Sequence, residues 1–154
     1  MALHVLERSQ LVGRPRAEVF AFFADAHNLE RLTPPFLHFQ ILTPAPIAMR
    51  PGALIDYRLS LFGLPFSWRT EIETFEPGLR FVDVQRRGPY RRWHHTHTFA
   101  DAPGGTLVGD RVEYQLPLGP FGEVARALVV RRQLDAIFDY RRRAIEALWG
   151  APPG

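Results

Sequence analysis

Residues 120–148 read PFGEVARALVVRRQLDAIFDYRRRAIEAL, and neither Gly nor Pro interrupts them after Gly122. At 3.6 residues per turn this is about eight turns of helix. Pro117, Gly119, Pro120 and Gly122 precede it, and Gly150, Pro152 and Pro153 follow, which are start and stop signals of the expected kind. Upstream, from about Ile41 to Tyr114, the pattern is one of strands and turns. One long helix therefore has one sheet to lie on, and a sheet curved around a helix encloses a pocket. Within the helix, Phe121, Val124, Ala125 and Leu128 form one apolar stripe. Leu134, Ile137, Phe138, Ile145, Leu148 and Trp149 form a second stripe, rotated from the first around Arg131-Arg132-Gln133. Either the buried face is wide or gently curved, or the N-terminal half covers a cavity while the C-terminal half packs solidly.

The rest of the chain supplies the sheet. His4 to Val12 reads as a strand ended by Gly13, and Pro15 to Ala24 as a short apolar helix with Pro15 at its first position. Asp25 is placed to cap a second short helix through Leu29 and Leu32, stopped by Pro34-Pro35. Strands follow at Phe36–Leu42, Ala53–Phe62, Phe66–Phe75, Phe81–Arg86, Arg91–Phe99 and Thr106–Leu116, separated by Gly- and Pro-containing turns. Ile55, Tyr57, Leu59 and Leu61 share one face of their strand, and Phe66, Trp68, Thr70 and Ile72 one face of the next. Between Phe81 and Gln85 the choice stays open: either Phe81, Asp83 and Gln85 point inward, or Val82 and Val84 do. Residues 1–150 form a single domain, and residues 151–154 read as a loose tail.

Composition narrows the function. The 154 residues are 46% hydrophobic and 23% charged, with twelve Phe, three Trp and four Tyr, enough for a core and an aromatic-lined cavity. Without Cys there is no disulfide, thiolate metal site or cysteine nucleophile. The first ten residues lack a basic segment followed by an apolar run, and no stretch is long and apolar enough for a membrane span; a cytoplasmic protein without membrane insertion is expected. All nineteen basic residues are Arg, and the net charge is +3. The pairs Arg86-Arg87, Arg91-Arg92 and Arg131-Arg132 and the triple Arg141-Arg142-Arg143 are dispersed among Asp and Glu with no recognised binding motif, so they read as solvated faces and no nucleic-acid partner is expected.

The strand Trp93-His94-His95-Thr96-His97-Thr98-Phe99 carries the most chemistry. Alternation sets Trp93, His95, His97 and Phe99 on one face, and the apolar Trp93 and Phe99 turn that face inward. On the next strand Asp110 intrudes among Val108, Val112, Tyr114 and Leu116. A carboxylate on such a face needs a partner. A four-residue loop at Asp101–Gly104 puts His95 opposite Asp110, with Cβ atoms about 5 Å apart. A loop differing by two residues puts His97 there instead. Three readings of the group remain: a satisfied polar network in the core, a ligand-recognition cluster, or a catalytic His–Asp pair with His95 or His97 as acid or base and Asp110 as orienter. His95 and His97 could jointly ligate a metal with Asp110 as third ligand. The strong spacing signatures are absent and Asp–His pairing accounts for the residues, so neither metal nor cofactor is assigned. No nucleophile elbow, P-loop or dinucleotide fingerprint occurs.

The segments PRAEVFAFFAD, Asn28-Leu29, RGPYRRWHHTHTF, DRVEYQLPLG and RRQLDAIFDYR, in this order of elements, resemble the SRPBCC or START-like helix-grip superfamily, and within it the bacterial polyketide cyclase/dehydrase-like group. The resemblance spans about residues 3 to 149 and rests on structural motifs. It implies an α+β helix-grip fold, with a curved antiparallel sheet of about seven strands around the C-terminal helix and an elongated apolar cavity between them. Carried onto this chain, the wall is Tyr57, Leu59, Trp68, Thr70, Trp93, His95, His97, Asp110, Val112 and Tyr114, and the helix lid Phe121, Val124 and Leu128. The expected function is binding of a small hydrophobic or amphipathic molecule, of lipid, polyketide or isoprenoid type. The alternatives are a cyclase or dehydratase using His95 or His97 with Asp110, and a partner-binding module with an incidental cavity and Arg-rich surfaces such as Arg141 to Arg143. Oligomeric state and ligand identity are left open.

Overall fold

A computed structural model describes residues 2–151; of the expected tail, residues 152–154 lie outside the described residues. Seven antiparallel strands form one sheet in the order β1-β7-β6-β5-β4-β3-β2. They are β1 His4–Val12, β2 Gln40–Ile41, β3 Leu54–Leu61, β4 Leu64–Glu76, β5 Arg80–Arg87, β6 Arg92–Ala102 and β7 Gly105–Gln115. Helices α1 (Arg16–Phe23) and α2 (Leu29–Leu32) sit between β1 and β2. The long C-terminal helix comprises α3 (Gly119–Ala125), a π-helical segment (Arg126–Val130) and α4 (Arg131–Trp149). Shifts of register between β4 and β5, at Arg69/Thr70 and Ile72/Thr74, are bulges of the kind that bend a sheet.

The expected strand at Phe36–Leu42 is reduced to Gln40–Ile41. Pro34 and Pro35 start a 3₁₀ turn through Leu37 instead. That turn drives Leu37 into the core, and Phe39 meets Tyr57 with ring centroids 4.7 Å apart. Asp25 caps the 3₁₀ turn Ala26–Asn28 that runs into α2 and not α2 itself, its side chain accepting from the His27 backbone N–H at 3.1 Å.

The β6–β7 hairpin is tighter than the four-residue loop. Ala102 pairs with Gly105, so Pro103-Gly104 alone turns the chain. Proline's ring sets its φ near −65° and Gly104 takes φ +83°, the pattern of a type II turn. The register moves by two residues, and His97, not His95, stands opposite Asp110. A Cβ on Gly105 would lie 1.9 Å from the Val12 carbonyl oxygen, a backbone atom that cannot move aside cheaply. Gly105→Ala is expected to lower stability by about 1–3 kcal/mol, the usual cost of overpacking; an unchanged melting temperature would show that β1 and β7 separate freely there.

Two core clusters result. One joins Leu59, Leu61, Trp68, Tyr90, Val112 and Tyr114 of the sheet side to Val130, Leu134 and Phe138 of the helix. The other joins Val19, Phe20, Phe23 and Leu32 to Phe81, Phe99, Val108 and Ile145, and closes one end of the curved sheet. Many of the arginines serve the outside, as expected: Arg69 pairs with Asp56, Arg80 with Glu76, Arg86 with Glu71 and Arg92 with Glu113.

Candidate functional site

The rotation of the helix stripe has a local cause. A π turn (i→i+5) fits one extra residue into the helix and so turns everything before it relative to everything after it. The π segment Arg126–Val130 lies just ahead of the drift seen in the sequence. Its effect is the opposite of a lid. Phe121, Val124 and Leu128 are 82%, 58% and 66% exposed, while Gly122 and Val130 turn inward. The three expected lid residues therefore face solvent; the cavity is covered by α4, through Gln133, Leu134, Ile137, Phe138 and Arg141.

That cavity has a volume of about 180 Å³ and lies between the sheet, α1–α2 and α4. Of the expected wall, Tyr57, Leu59, Trp68, Thr70, Trp93, His95 and His97 line it. Asp110, Val112 and Tyr114 do not. Val112 and Tyr114 are core residues packed with Val130, Leu134 and Phe138, and the Tyr114 hydroxyl accepts from Arg126 Nε at 3.3 Å. On the aromatic side of the cavity the Trp68 indole N–H donates to Thr70 Oγ1 at 3.0 Å, and the Tyr57 hydroxyl lies 2.8 Å from the same oxygen. Burial pushes the Tyr57 phenol far above its usual pKa range, so it stays protonated.

The same lining carries a buried polar cluster. His95 Nε2 donates to Asp110 Oδ1 at 2.8 Å. The expected His95–Asp110 contact thus forms, but diagonally, since in this register Asp110 faces His97. His97 finds a different main partner: its Nε2 donates to Asp83 Oδ2 at 2.5 Å. Phe81 and Asp83 point into the cavity, which decides the face left open on β5, while Gln85 bonds the backbone of Tyr90 through both ends of its amide. Val82 and Val84 are also buried, on the opposite face. The two imidazoles stack with centroids 3.7 Å apart, and His97 stacks in turn on Phe81 at 4.1 Å.

Arg141 completes the cluster, and corrects the expectation of an Arg141–Arg143 surface patch. It is only 7% exposed. Its Nη2 lies 3.4 Å from Asp110 Oδ1 and 3.5 Å from His97 Nδ1. Its guanidinium sits over Phe23, 5.1 Å from the ring centroid. The sequence held a signal for this: Leu134, Phe138, Arg141 and Ile145 follow one another at helical spacing, and all four are buried.

Electrostatics follow from the packing. Burial raises the Asp110 carboxyl, but the charge of Arg141 and the His95 hydrogen bond outweigh it and hold the group well below the carboxylate range. Burial opposes ionisation of Asp83 too, yet the flanking His95, the His97 hydrogen bond and Arg141 bring it below its ordinary value. For His97 burial wins, with neighbouring His95 acting in the same direction, and its pKa falls to about 4 despite Asp83 and Asp110. His97 is therefore neutral near pH 7. Its proton sits on Nε2, because the carboxylate of Asp83 can only accept.

A curved antiparallel sheet gripping a C-terminal helix of 31 residues over an internal cavity defines a helix-grip protein. The chain belongs to the family described as polyketide cyclase / dehydrase and lipid transport, whose model matches residues 12–138. Among solved structures it is similar to a protein of Chromobacterium violaceum, with a TM-score of 0.72, 16% identity and coverage of 97% of this chain and 98% of that one. The major latex-like protein 151 of Panax ginseng gives a TM-score of 0.68 at 12% identity, covering 97% and 99%. The nucleoside-diphosphate sugar epimerase of Corynebacterium glutamicum gives 0.64 at 30% identity over 91% of this chain but only 28% of that longer one. No curated protein sequence matches. No helix among the described residues is long and apolar enough to cross a membrane.

Proposed function

We propose that the protein binds a small hydrophobic or amphipathic molecule between the sheet and α4, with its polar end toward Asp83, His95, His97 and Arg141. The observation that carries this reading is the lining itself. Trp68, Trp93, Phe81, Leu59 and Phe138 supply contact area, and Asp83, His95, His97 and Arg141 form one polar cluster on the same lining. Ligand sites are built this way, mainly apolar with a few convergent polar groups. Family membership supports the same class of ligand.

Size restricts the ligand. An apolar cavity of about 150 Å³ accepts a benzene-sized molecule, so the present 180 Å³ suits a body of about one ring. A lipid, polyketide or isoprenoid chain requires α4 to stand further from the sheet. Mass spectrometry of freshly purified protein, native against denatured, tests the reading. An additional organic mass lost on denaturation is expected. No such mass, together with no response of Trp68 and Trp93 fluorescence to apolar probes, overturns it.

A second reading, acid–base catalysis of cyclase or dehydratase type, is favoured by one observation: the 2.5 Å His97–Asp83 pair borders the cavity. In that reading His97 moves the proton and Asp83, in the place expected of Asp110, orients it. His97→Gln then costs about 10²–10⁴ in rate with ligand affinity retained; loss of affinity with no rate to lose returns the cluster to recognition alone. A partner-binding role draws support from the exposed Leu118, Phe121, Val124 and Leu128 beside the start of the long helix, and from the longer Corynebacterium chain within which a domain of this kind occurs.

A further inference from the structure

We propose that the end of the molecule where the long helix begins docks on an anionic lipid surface, its apolar tips entering the headgroup layer and its arginines meeting the lipid phosphates. The contact is peripheral, with no membrane span. It goes beyond the binding function just proposed and does not depend on it.

Among the described residues, the most exposed large apolar side chains are Phe121, Leu118, Leu128, Leu64, Phe62 and Val124, from 82% down to 58%. A single exposed leucine is ordinary, but these gather at one end of the sheet. In the antiparallel order β3, β5 and β7 all run the same way, so the turns that follow them share an end. Phe62 and Leu64 belong to the turn after β3, and the other four to the connection after β7 and the first turns of the helix. Phe121, Val124 and Leu128 are spaced as a buried stripe, yet the π turn rotates them outward. Turning them to water forgoes their burial, which an apolar surface outside the chain restores.

Charge names the occupant. Arg91, in the turn after β5, donates its backbone N–H to the Gln115 carbonyl at 2.9 Å and so adjoins the chain leading to Leu118. Arg131 and Arg132 follow Leu128 by three and four residues, and all three arginines are exposed. None of them has an ion-pair partner among the described residues, whereas the carboxylates of the adjoining segments, Glu113 and Glu123, are taken by Arg92 and His4. Unpaired arginines beside Phe and Leu tips are the makeup of a surface that lies in an anionic membrane interface. A second copy fits worse, because a two-fold contact sets the patch against itself and arginine against arginine. None of the six apolar side chains lines either cavity, so they are tips and not the walls of a groove. Fluid lipid closes around such tips, while a rigid partner needs matching hollows. The docked end also adjoins the ligand space, since Leu61, next to Phe62, and Gln133, next to Arg132, both line it.

The test is cosedimentation of the full-length protein with phosphatidylcholine vesicles, with and without phosphatidylglycerol. Binding to the phosphatidylglycerol vesicles is expected, weakening as salt rises, with much less on phosphatidylcholine alone. A surface arginine near an anionic leaflet contributes roughly fivefold in affinity, so Arg131→Gln with Arg132→Gln should weaken binding about 25-fold. Phe121→Gln with Leu128→Gln, which keeps good helix formers in place, should weaken it at least about tenfold. Leu79→Ser, an exposed leucine in the β4–β5 turn at the opposite end, should leave it unchanged, and circular dichroism checks that each variant is folded. No binding of the folded wild type to anionic vesicles overturns the proposal. Binding that the arginine changes abolish but the apolar changes leave intact overturns it as well, as adsorption by charge alone. A dimer in sedimentation that Phe121→Gln with Leu128→Gln dissolves, without vesicle binding, gives the patch to protein instead. An organic mass retained in native spectra by a protein that ignores vesicles sinks the docking while sustaining the cavity.

Discussion

Arg141→Met is expected to lower the stability of the protein by about 3–5 kcal/mol, the cost of leaving one member of a buried ion pair without its partner. For a chain of this size that is a fall in melting temperature of roughly 6–20 °C. The reason is local. Asp110 is 10% exposed in its side chain, and among the described residues Arg141 is the permanent cation beside it. Without that cation, burial pushes the carboxyl toward its neutral form, the His95 hydrogen bond loses its charged acceptor, and the order of the cluster goes with it. Two comparisons isolate the cause. Arg142→Met, one position along on the exposed side of α4, should change stability by no more than about 0.5 kcal/mol. Arg141→Met combined with Asp110→Leu should recover much of the loss, because replacing both members by apolar groups removes the unpaired charge. Denaturant unfolding of the three variants measures this, and an Arg141→Met curve overlying the wild type would contradict a buried pair.

Trp68→Ala should cost about 3–5 kcal/mol as well, through a different route. Trp68 is 6% exposed and stands where β4 meets the cavity. Its indole stacks on Tyr57 with centroids 5.8 Å apart, meets Trp93 edge-on at 5.4 Å and donates to Thr70. Truncation deletes these contacts and joins the vacated space to the cavity. The variant should therefore regain part of its loss when a small flat molecule such as indole is added, whereas the wild type should respond less. A loss of stability that indole does not relieve would mean that the space collapses instead of opening, and that Trp68 is a core residue first and a cavity wall second.

Much of this was legible in the chain. Alternation in Ala53–Phe62 and Phe66–Phe75 gave the inward faces correctly, because side chains on a strand repeat every two residues whatever the neighbours do. The antiparallel pairing of β6 and β7 gave the partnership of Asp110 with a histidine. The hairpin loop is two residues shorter than the four that its composition suggests, and His95 reaches Asp110 across the diagonal, within reach of a long side chain. Asp83 was undecided because Val82 and Val84 are buried too, so alternation on β5 carried no information about which face lay inside.

The order of elements, the long helix and the sheet it lies on, and the polar intrusion on two apolar faces are all written in the chain. These depend on periodicity and turn chemistry, which act over a few residues. Tertiary structure alone decided which residues of the long helix meet the sheet, since a single π turn rotates Phe121, Val124 and Leu128 out to solvent and leaves Arg141 turned in. It also decided that Asp83, His95, His97, Asp110 and Arg141 share one buried site. Those groups come from β5, β6, β7 and α4, and only the docking of the helix into the curved sheet removes them from water together, where each must find its charge or hydrogen-bond partner among the others.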